Sequence, residues 1–401
     1  MGAIQITKDI YSVGVLNPNM RIFDVIMRTE FGTSYNAYLV KGDKNVLIDT
    51  SHPRYYDEYL ENIASVIDPK KIDYVVMNHC EPDHSGALAK LLALAPQAQV
   101  LSTPAGSIYL RAITNISPLN LRVVKNGETL DIGGGKVLKF IHAPFLHWPD
   151  SMFTWLESEK VAFTCDFLGS HYCEPRMFDR HVTYPERYER AFHEYFDAIF
   201  GPFKPYVLKG LDKLEALGAD MVCTSHGPIL TKGSFLPEAE KRYREWATPE
   251  VREHPFIPLF YCSAYGNTER LAKEIARGIL DVRPDARAEL YDINANDLCD
   301  LREKLNNCDA FLLGTPTINR DAVLPVWQLA CSVDAVNAKG RLCSVFGSFG
   351  WSGEGVPLVV ERLKSLRLNV FENGLTCRFI PSDAEIKDAF EFGKRFVKAL
   401  G

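Results

Sequence analysis

KIDYVVMNHCEPDH, residues 71–84, decides how the first half of the chain is read. An apolar run of strand length passes without a break into two histidines and two carboxylates within six residues. Polar residues at a strand end can converge on one cleft without covering apolar core. Pro82 is expected to block regular helix here, so that the turn splays its side chains. Taken alone, the hexapeptide could also be a polar surface loop, for which a chance HxExDH would suffice.

Working outward, the same pattern recurs. His147 in FLHWPDS, Asp166 closing VAFTCD and His226 closing MVCTSH are each a polar residue at the end of an apolar run. One such residue is more often structural; four segments together point to a shared site. Around them, residues 36–51 read as two β-rich runs joined at Gly42-Asp43, and residues 121–171 as strands broken at Asn126-Gly127, Gly133 to Gly135 and Pro149. Helices fit 55–67, 86–95 and the stretch from Pro185 to about Phe200. Strands in series with a few helices predict an α+β layered fold. The polar stretch 241–258, ending in Pro255 and Pro258, is expected to be a linker.

From Ile257 strand and helix alternate to the end of the chain, which predicts a doubly wound parallel sheet. The first of these strands runs into Ser263-Ala264-Tyr265-Gly266-Asn267-Thr268 and then a helix. Small hydroxyl and amide residues with a glycine at a helix start suit a phosphate, because free N–H groups and the helix dipole face it. A capped helix start reads the same way in isolation. The spacing is neither an ATP phosphate loop nor a dinucleotide G-x-G-x-x-G. Two more loops favour a ligand: Gly314 to Asn319 and Phe346 to Gly355 follow the third and fourth strands of this half, where open α/β sheets bind ligands.

The chain has 401 residues with a net charge of -6, the two signs mixed along it. At ~150 residues per domain the length predicts two or three domains. The charge pattern disfavours nucleic acid and anionic membranes as partners. No apolar run approaches the ~18 residues of a membrane span. No secretory signal is evident at the N-terminus, so a cytoplasmic protein is expected. Ten cysteines contain no C-x-x-C pair, which leaves no rubredoxin-type iron site, zinc ribbon or thioredoxin-like dithiol built from that motif.

HCEPDH, with LHWPDSM, TCD and TSHG, resembles the metallo-β-lactamase fold in its diiron form. Zinc hydrolases of that fold carry H-x-H-x-D-H, and here Glu81 stands in place of the second histidine. The resemblance implies that His79, Glu81 and His147 hold one iron, that Asp83, His84 and His226 hold the other, and that Asp166 bridges them. Four imidazoles with three carboxylates suit non-haem iron, although the affinity order alone favours zinc. The stretch from residue 254 resembles a flavodoxin with three FMN loops. That resemblance implies phosphate contacts from Ser263, Tyr265, Gly266, Asn267 and Thr268. It also implies that Pro316, Thr317, Ile318 and Asn319, with Gly347, Ser348, Phe349, Gly350, Trp351 and Gly353, enclose the isoalloxazine.

Together the halves resemble the flavodiiron proteins over nearly the whole chain. The family implies an αββα sandwich of metallo-β-lactamase type over residues 1–253 and a flavodoxin-like doubly wound sheet over residues 254–401. It implies FMN and two non-haem irons, reduction of dioxygen to water or of nitric oxide to nitrous oxide, and a rubredoxin or similar small protein as electron donor. It further implies a head-to-tail homodimer or a dimer of dimers. In several relatives a histidine follows the R-x-F segment; here Asp24 follows Arg21-Ile22-Phe23, and His171 and Tyr195 are candidate proton donors instead. Cys80 receives no role, and His52, His142, His181, His193 and His254 are read as structural or surface residues. Two competing readings are a zinc hydrolase of the same fold with a fused flavodoxin-like domain, and an FMN electron carrier with a structural metal domain.

Overall fold

Val46 and Ile48 face one core while Leu47, between them, faces another, and this alternation organises the first part of the chain. The computed structural model describes residues 2–25 and 27–401, which divide into two units, Met1–Pro249 and Glu250–Gly401. In the first, β1 (Ile4–Gln5), β2 (Ile10–Ser12), β3 (Tyr38–Val40), β4 (Asn45–Ile48), β5 (Ile72–Val76), β6 (Gln99–Ser102) and β7 (Leu121–Val123) form one sheet in that order. A second sheet runs β8 (Thr129–Asp131), β9 (Val137–His142), β10 (Met152–Leu156), β11 (Val161–Cys165), β12 (Met221–Thr224) and β13 (Leu230–Thr231).

Val46, Ile48, Val76 and Leu101 of the first sheet meet Phe140, Met152, Leu156 and Phe163 of the second in one buried cluster. The outer face of the first sheet is covered by α1 (Tyr56–Ala64), α3 (Leu88–Leu94) and α4 (Pro104–Thr114), after the single-turn α2 (Pro82–Ser85). The outer face of the second is covered by α5 (Pro185–Tyr195), α6 (Lys204–Leu217) and α7 (Leu236–Ala247). The result is an αββα sandwich. Each fully buried Phe or Leu contributes roughly 1.5–3 kcal/mol through area removed from water.

Two local expectations fail for identifiable reasons, and a third holds with one irregular turn. Pro82 starts a helical turn instead of preventing one, because the first helical position needs no N–H donor and accepts proline's fixed φ. Residues 241–247 belong to α7, which buries Tyr243 and Ala247, so only the residues beyond Ala247 leave helix. The helix from Pro185 is regular as far as Tyr195, then widens into one π turn, Phe196–Phe200.

In the second unit β14 (Phe256–Tyr261), β15 (Arg287–Asp292), β16 (Ala310–Ile318), β17 (Leu342–Phe349) and β18 (Asn369–Val370) form a parallel sheet in the order β15-β14-β16-β17-β18. This is the flavodoxin-like strand order of doubly wound folds. β19 (Leu375–Arg378) pairs in parallel with the far end of β17, so this edge of the sheet carries two short strands, separated by a turn with Glu372 and Gly374 at positive φ. One face packs on α8 (Asn267–Val282) and α12 (Asp383–Leu400); the other packs on α9 (Leu298–Asn306), α10 (Leu324–Cys331) and α11 (Gly355–Ser365). The helices α8 and α12 approach closely at two glycines. A Cβ at Gly278 would meet Phe390 O at 1.9 Å, and one at Gly393 would meet Ile275 O at 2.1 Å.

Candidate functional site

The carboxyl ends of four strands deliver seven side chains to one edge of the sandwich. His79 and Glu81 follow β5, Asp83 and His84 lie on α2, His147 follows β9, Asp166 follows β11, and His226 lies two residues past β12. The Leu146–His147 peptide is cis. All but His147, which is part-exposed, are buried. Their ligand atoms form two groups: His79, Glu81, His147 and Asp166 in one, and Asp83, His84 and His226 in the other.

Asp166 faces both groups through different oxygens. Its Oδ2 lies 3.6 Å from His79 Nε2 and 3.4 Å from His147 Nε2. Its Oδ1 lies 3.1 Å from His84 Nε2 and 3.5 Å from His226 Nε2. Glu81 Oε2 sits 3.1 Å from His147 Nε2 and 3.3 Å from His79 Nε2, and Asp83 spans His84 and His226 at 3.3 and 3.1 Å. Both oxygens of Asp83 and both ring nitrogens of His84 are buried without a hydrogen-bond partner. Buried polar atoms are normally paired, so these groups fit a pair of cations better than they fit each other.

The charges are mutually dependent. Burial works to raise the Glu81 and Asp166 carboxyls, but their histidine neighbours outweigh it and hold both well below the usual carboxylate range. Burial likewise works to lower His84, yet Asp83 and Asp166 push it up to about 9. Without metal, protons on the imidazoles do the work that cations would do.

Residues outside the ligand groups hold these side chains in place. Asp150 Oδ2 lies 3.2 Å from His79 Nδ1 and accepts from Cys80 N at 2.7 Å. His226 Nδ1 lies 2.6 Å from Ser34 O, and Ser225 Oγ donates to Asp166 Oδ1 at 2.7 Å. Such partners fix ring tautomer and orientation. None was singled out from the sequence, although Asp150 and Ser225 stand within the very segments that carry His147 and His226.

His171 and Tyr195 both reach this edge and both are buried. His171 Nδ1 lies 2.9 Å from Thr33 Oγ1, its ring centroid is 4.9 Å from Tyr195 and 5.0 Å from His226, and its Nε2 has no partner. Burial, reinforced by the His226 charge, drives its pKa well down, so the ring is neutral. The π turn brings Tyr195 and Phe200, five residues apart, to the same side: Tyr195 flanks His226 at 6.1 Å and Phe200 flanks His147 at 6.2 Å. Asp24, at positive φ in the turn after Phe23, is pushed up to about 6 by desolvation and by the Glu81 carboxylate.

In the second unit the expected flavin residues surround the carboxyl ends of β14, β16 and β17. The helix α8 starts just after Gly266 (φ 81°), which has no side chain to cap it; Ser263 Oγ takes up one of the first N–H groups, and the helix start otherwise suits an anion. Ser263 Oγ accepts from Glu269 N at 3.3 Å, and Thr268 Oγ1 meets Ser348 Oγ at 2.9 Å, tying the first loop to the third. Pro316, Thr317 and Ile318 are strand rather than loop, as are Gly347, Ser348 and Phe349. The cause is that β16 and β17 pair as far as Pro316 and Ser348, while Ile318 pairs back on Asp321. The turn itself is Asn319-Arg320, both at positive φ. Beyond β17, Trp351 is 76% exposed, and Gly350 and Gly353 approach the Phe379 and Phe349 rings closely. The open helix start beside an exposed flat ring fits a phosphate-bearing aromatic cofactor.

Among the described residues no helix is long and apolar enough to cross a membrane.

The family described as ODP family beta lactamase matches residues 33–227, and the flavodoxin family matches residues 259–393. The chain is 62% identical to flavo-diiron protein FprA2 of Clostridium acetobutylicum, over 100% of both proteins. It is 32% identical to the anaerobic nitric oxide reductase flavorubredoxin of Aeromonas hydrophila, covering 99% of this chain and 79% of that one. Among solved structures, the rubredoxin oxygen:oxidoreductase of the anaerobe Desulfovibrio gigas superposes with a TM-score of 0.71 at 30% identity, over 99% of this chain and 98% of that one.

Proposed function

The chain belongs to the flavodiiron protein family, and from that premise we propose that it reduces dioxygen to water, nitric oxide to nitrous oxide, or both, with a small rubredoxin-like protein as electron donor. It is an oxidoreductase whose cofactors are FMN and a non-haem diiron centre. The observation that carries the reading is Asp166, with one oxygen toward His79 and His147 and the other toward His84 and His226.

In this assignment His79, Glu81 and His147 hold one iron, Asp83, His84 and His226 the other, and Asp166 both. Ser263, Tyr265, Gly266, Asn267 and Thr268 hold the FMN phosphate; Pro316 to Asn319 and Gly347 to Gly353 line its ring. When bound, FMN relays electrons and the iron pair supplies the redox chemistry at the diatomic substrate. The chain's own residues supply the setting. Three carboxylates offset part of the charge of two divalent ions, and Asp150, Ser34 and Ser225 keep the ligand atoms aimed. Phe23, whose ring centroid lies 4.5 Å from that of His171, and Phe200 keep water off the flank. On that flank neutral His171 holds one ring proton and the Tyr195 phenol, whose pKa burial raises well above its ordinary value, holds its own at Oη.

The exposed Tyr265, Ile318, Trp351 and Phe379 around the flavin loops support a protein partner there. We read it as a second copy in a head-to-tail dimer, leaving part of that surface to the donor. The metal domain is taken as residues 1–253 and the flavin domain as 254–401, working in the cytoplasm. A zinc hydrolase finds no support among the whole-chain relatives described above.

Metal analysis and a visible spectrum of the purified protein test the assignment. About two irons and one FMN per chain are expected, and anaerobically reduced protein should reoxidise on mixing with dioxygen or nitric oxide. Two zincs without flavin, or a reduced flavin inert to both gases, would sink it.

A further inference from the structure

Cys165 closes β11 next to Asp166, and nothing in the proposed reaction uses it. Successive side chains of an undisturbed strand point to opposite faces. Here the pairing of β11 with β12 shifts register between Phe163 and Cys165, and Cys165 takes a left-handed backbone with φ 52°. A bulge of this kind re-aims side chains. It brings Cys165 and its neighbour Asp166 toward the same partner: one ligand atom from each of His84, Cys165 and Asp166 lies within 4.8 Å of the other two. All three residues are buried.

His84 has a ring nitrogen to spare. His79 leans its Nδ1 on Asp150 and His226 leans its Nδ1 on Ser34 O, as metal-bound histidines usually do. His84 Nδ1 has no such partner, while its Nε2 faces Asp166 Oδ1 at 3.1 Å. One imidazole nitrogen, one thiol sulfur and one carboxylate oxygen make a donor set unlike the N/O sets on either side of it. Thiolate favours zinc and other soft ions over ions that prefer oxygen donors. With sulfur about 2.3 Å and nitrogen or oxygen about 2.0–2.1 Å from a tetrahedral ion, ligand atoms stand roughly 3.3–3.6 Å apart, so closure from a spread within 4.8 Å takes shifts on the order of 1 Å.

We propose that His84, Cys165 and Asp166 form a thiolate-bearing site for a soft divalent cation, cadmium or zinc, and that filling it withdraws His84 and Asp166 from the neighbouring iron. The inference rests on the ligand assignment above for His84 and Asp166 only. Binding exchanges a proton for a metal: Cys165 Sγ releases its hydrogen to solvent as the sulfur–metal bond forms, no electron moves, and the displaced ferrous ion leaves as its aqua ion.

The test uses iron- and FMN-loaded protein carrying Cys299→Ser and Cys331→Ser, which removes the two exposed thiols. Cadmium chloride is added anaerobically while near-ultraviolet thiolate–cadmium absorption and released iron are read together. A band saturating at one cadmium per chain, with one of two irons released, is expected. Adding Cys165→Ser should abolish the band and demand at least ~10-fold more cadmium for iron release. The proposal is overturned by no band in the parent, or by equal band and release in the Cys165→Ser protein. Cys165→Ala gives the same decision should the serine variant lose its flavin. A parent that binds cadmium through Cys165 but never held iron would leave this site standing and remove the diiron assignment instead.

Discussion

Asp166 and Trp351 differ sharply in their surroundings: the carboxylate is 2% exposed among four imidazoles, the indole 76% exposed beyond the end of a strand. Each represents its site. The metal site is made of buried charged side chains that compensate one another, so it is formed and electrostatically loaded before any ligand arrives. The flavin site is made of strand ends, an uncapped helix start and exposed rings, with Gly266 facing open space. Removing one side chain from the first unbalances every other; changing one in the second alters a contact. Burial, which deprives charges of solvent screening, accounts for the difference.

The largest effect that would sharpen the contrast is expected from Asp166→Ala. It should abolish turnover with both gases and remove iron from both halves, while FMN content stays at the parental level. Iron assay and flavin absorbance check this; flavin loss in that variant would break the separation between the sites. A smaller effect is expected from pH on the metal-free protein. His84 sits at about 9 in the folded chain against about 6.5 unfolded, so between those values the folded state binds the extra proton. Its stabilisation is complete below pH 6.5 and is lost as pH rises through 9, on the order of 3 kcal/mol. Iron affinity should move the other way over the same window, because ligation needs the neutral ring. Denaturant midpoints of chelator-treated and loaded protein at pH 6 and pH 9.5 should therefore trend in opposite directions. The smallest effect belongs to the flavin side. Asn267→Asp places a charge near the phosphate, and about 1 kcal/mol at ~4 Å in water is a roughly 5-fold loss of FMN affinity. Flavin fluorescence titration reads it, and unchanged affinity would remove Asn267 from the phosphate loop.

The same contrast explains what the sequence discloses. His79 to His84, His147, Asp166 and His226 stand out because a charged residue closing an apolar strand has few structural reasons to be there, and the chain gathers all seven. The parallel sheet from Ile257 is legible because strand and helix periods alternate cleanly. What escapes notice is held by one or two hydrogen bonds: Asp150 and Ser225 have ordinary sequence surroundings, and only the fold sets one beside His79 and the other beside Asp166. The flavin loops are misjudged at their starts because Gly and Pro in 314–318 suggest a turn, whereas pairing with β17 keeps this segment extended. Pro82 misleads in the opposite sense, since proline stops a helix from within yet begins one well.

The π turn at Phe196–Phe200 has a consequence of a different kind. It holds one residue more than a regular helical turn, and that surplus is what lets Tyr195 and Phe200 share a side. The distance of an aromatic wall from the metal ligands is therefore written in chain length, not in residue identity. A chain one residue shorter between positions 196 and 199 would lose the wide turn while keeping every ligand residue, and would turn Phe200 out of line with Tyr195. Insertions and deletions here offer evolution a way to reshape the substrate's approach without touching the metal.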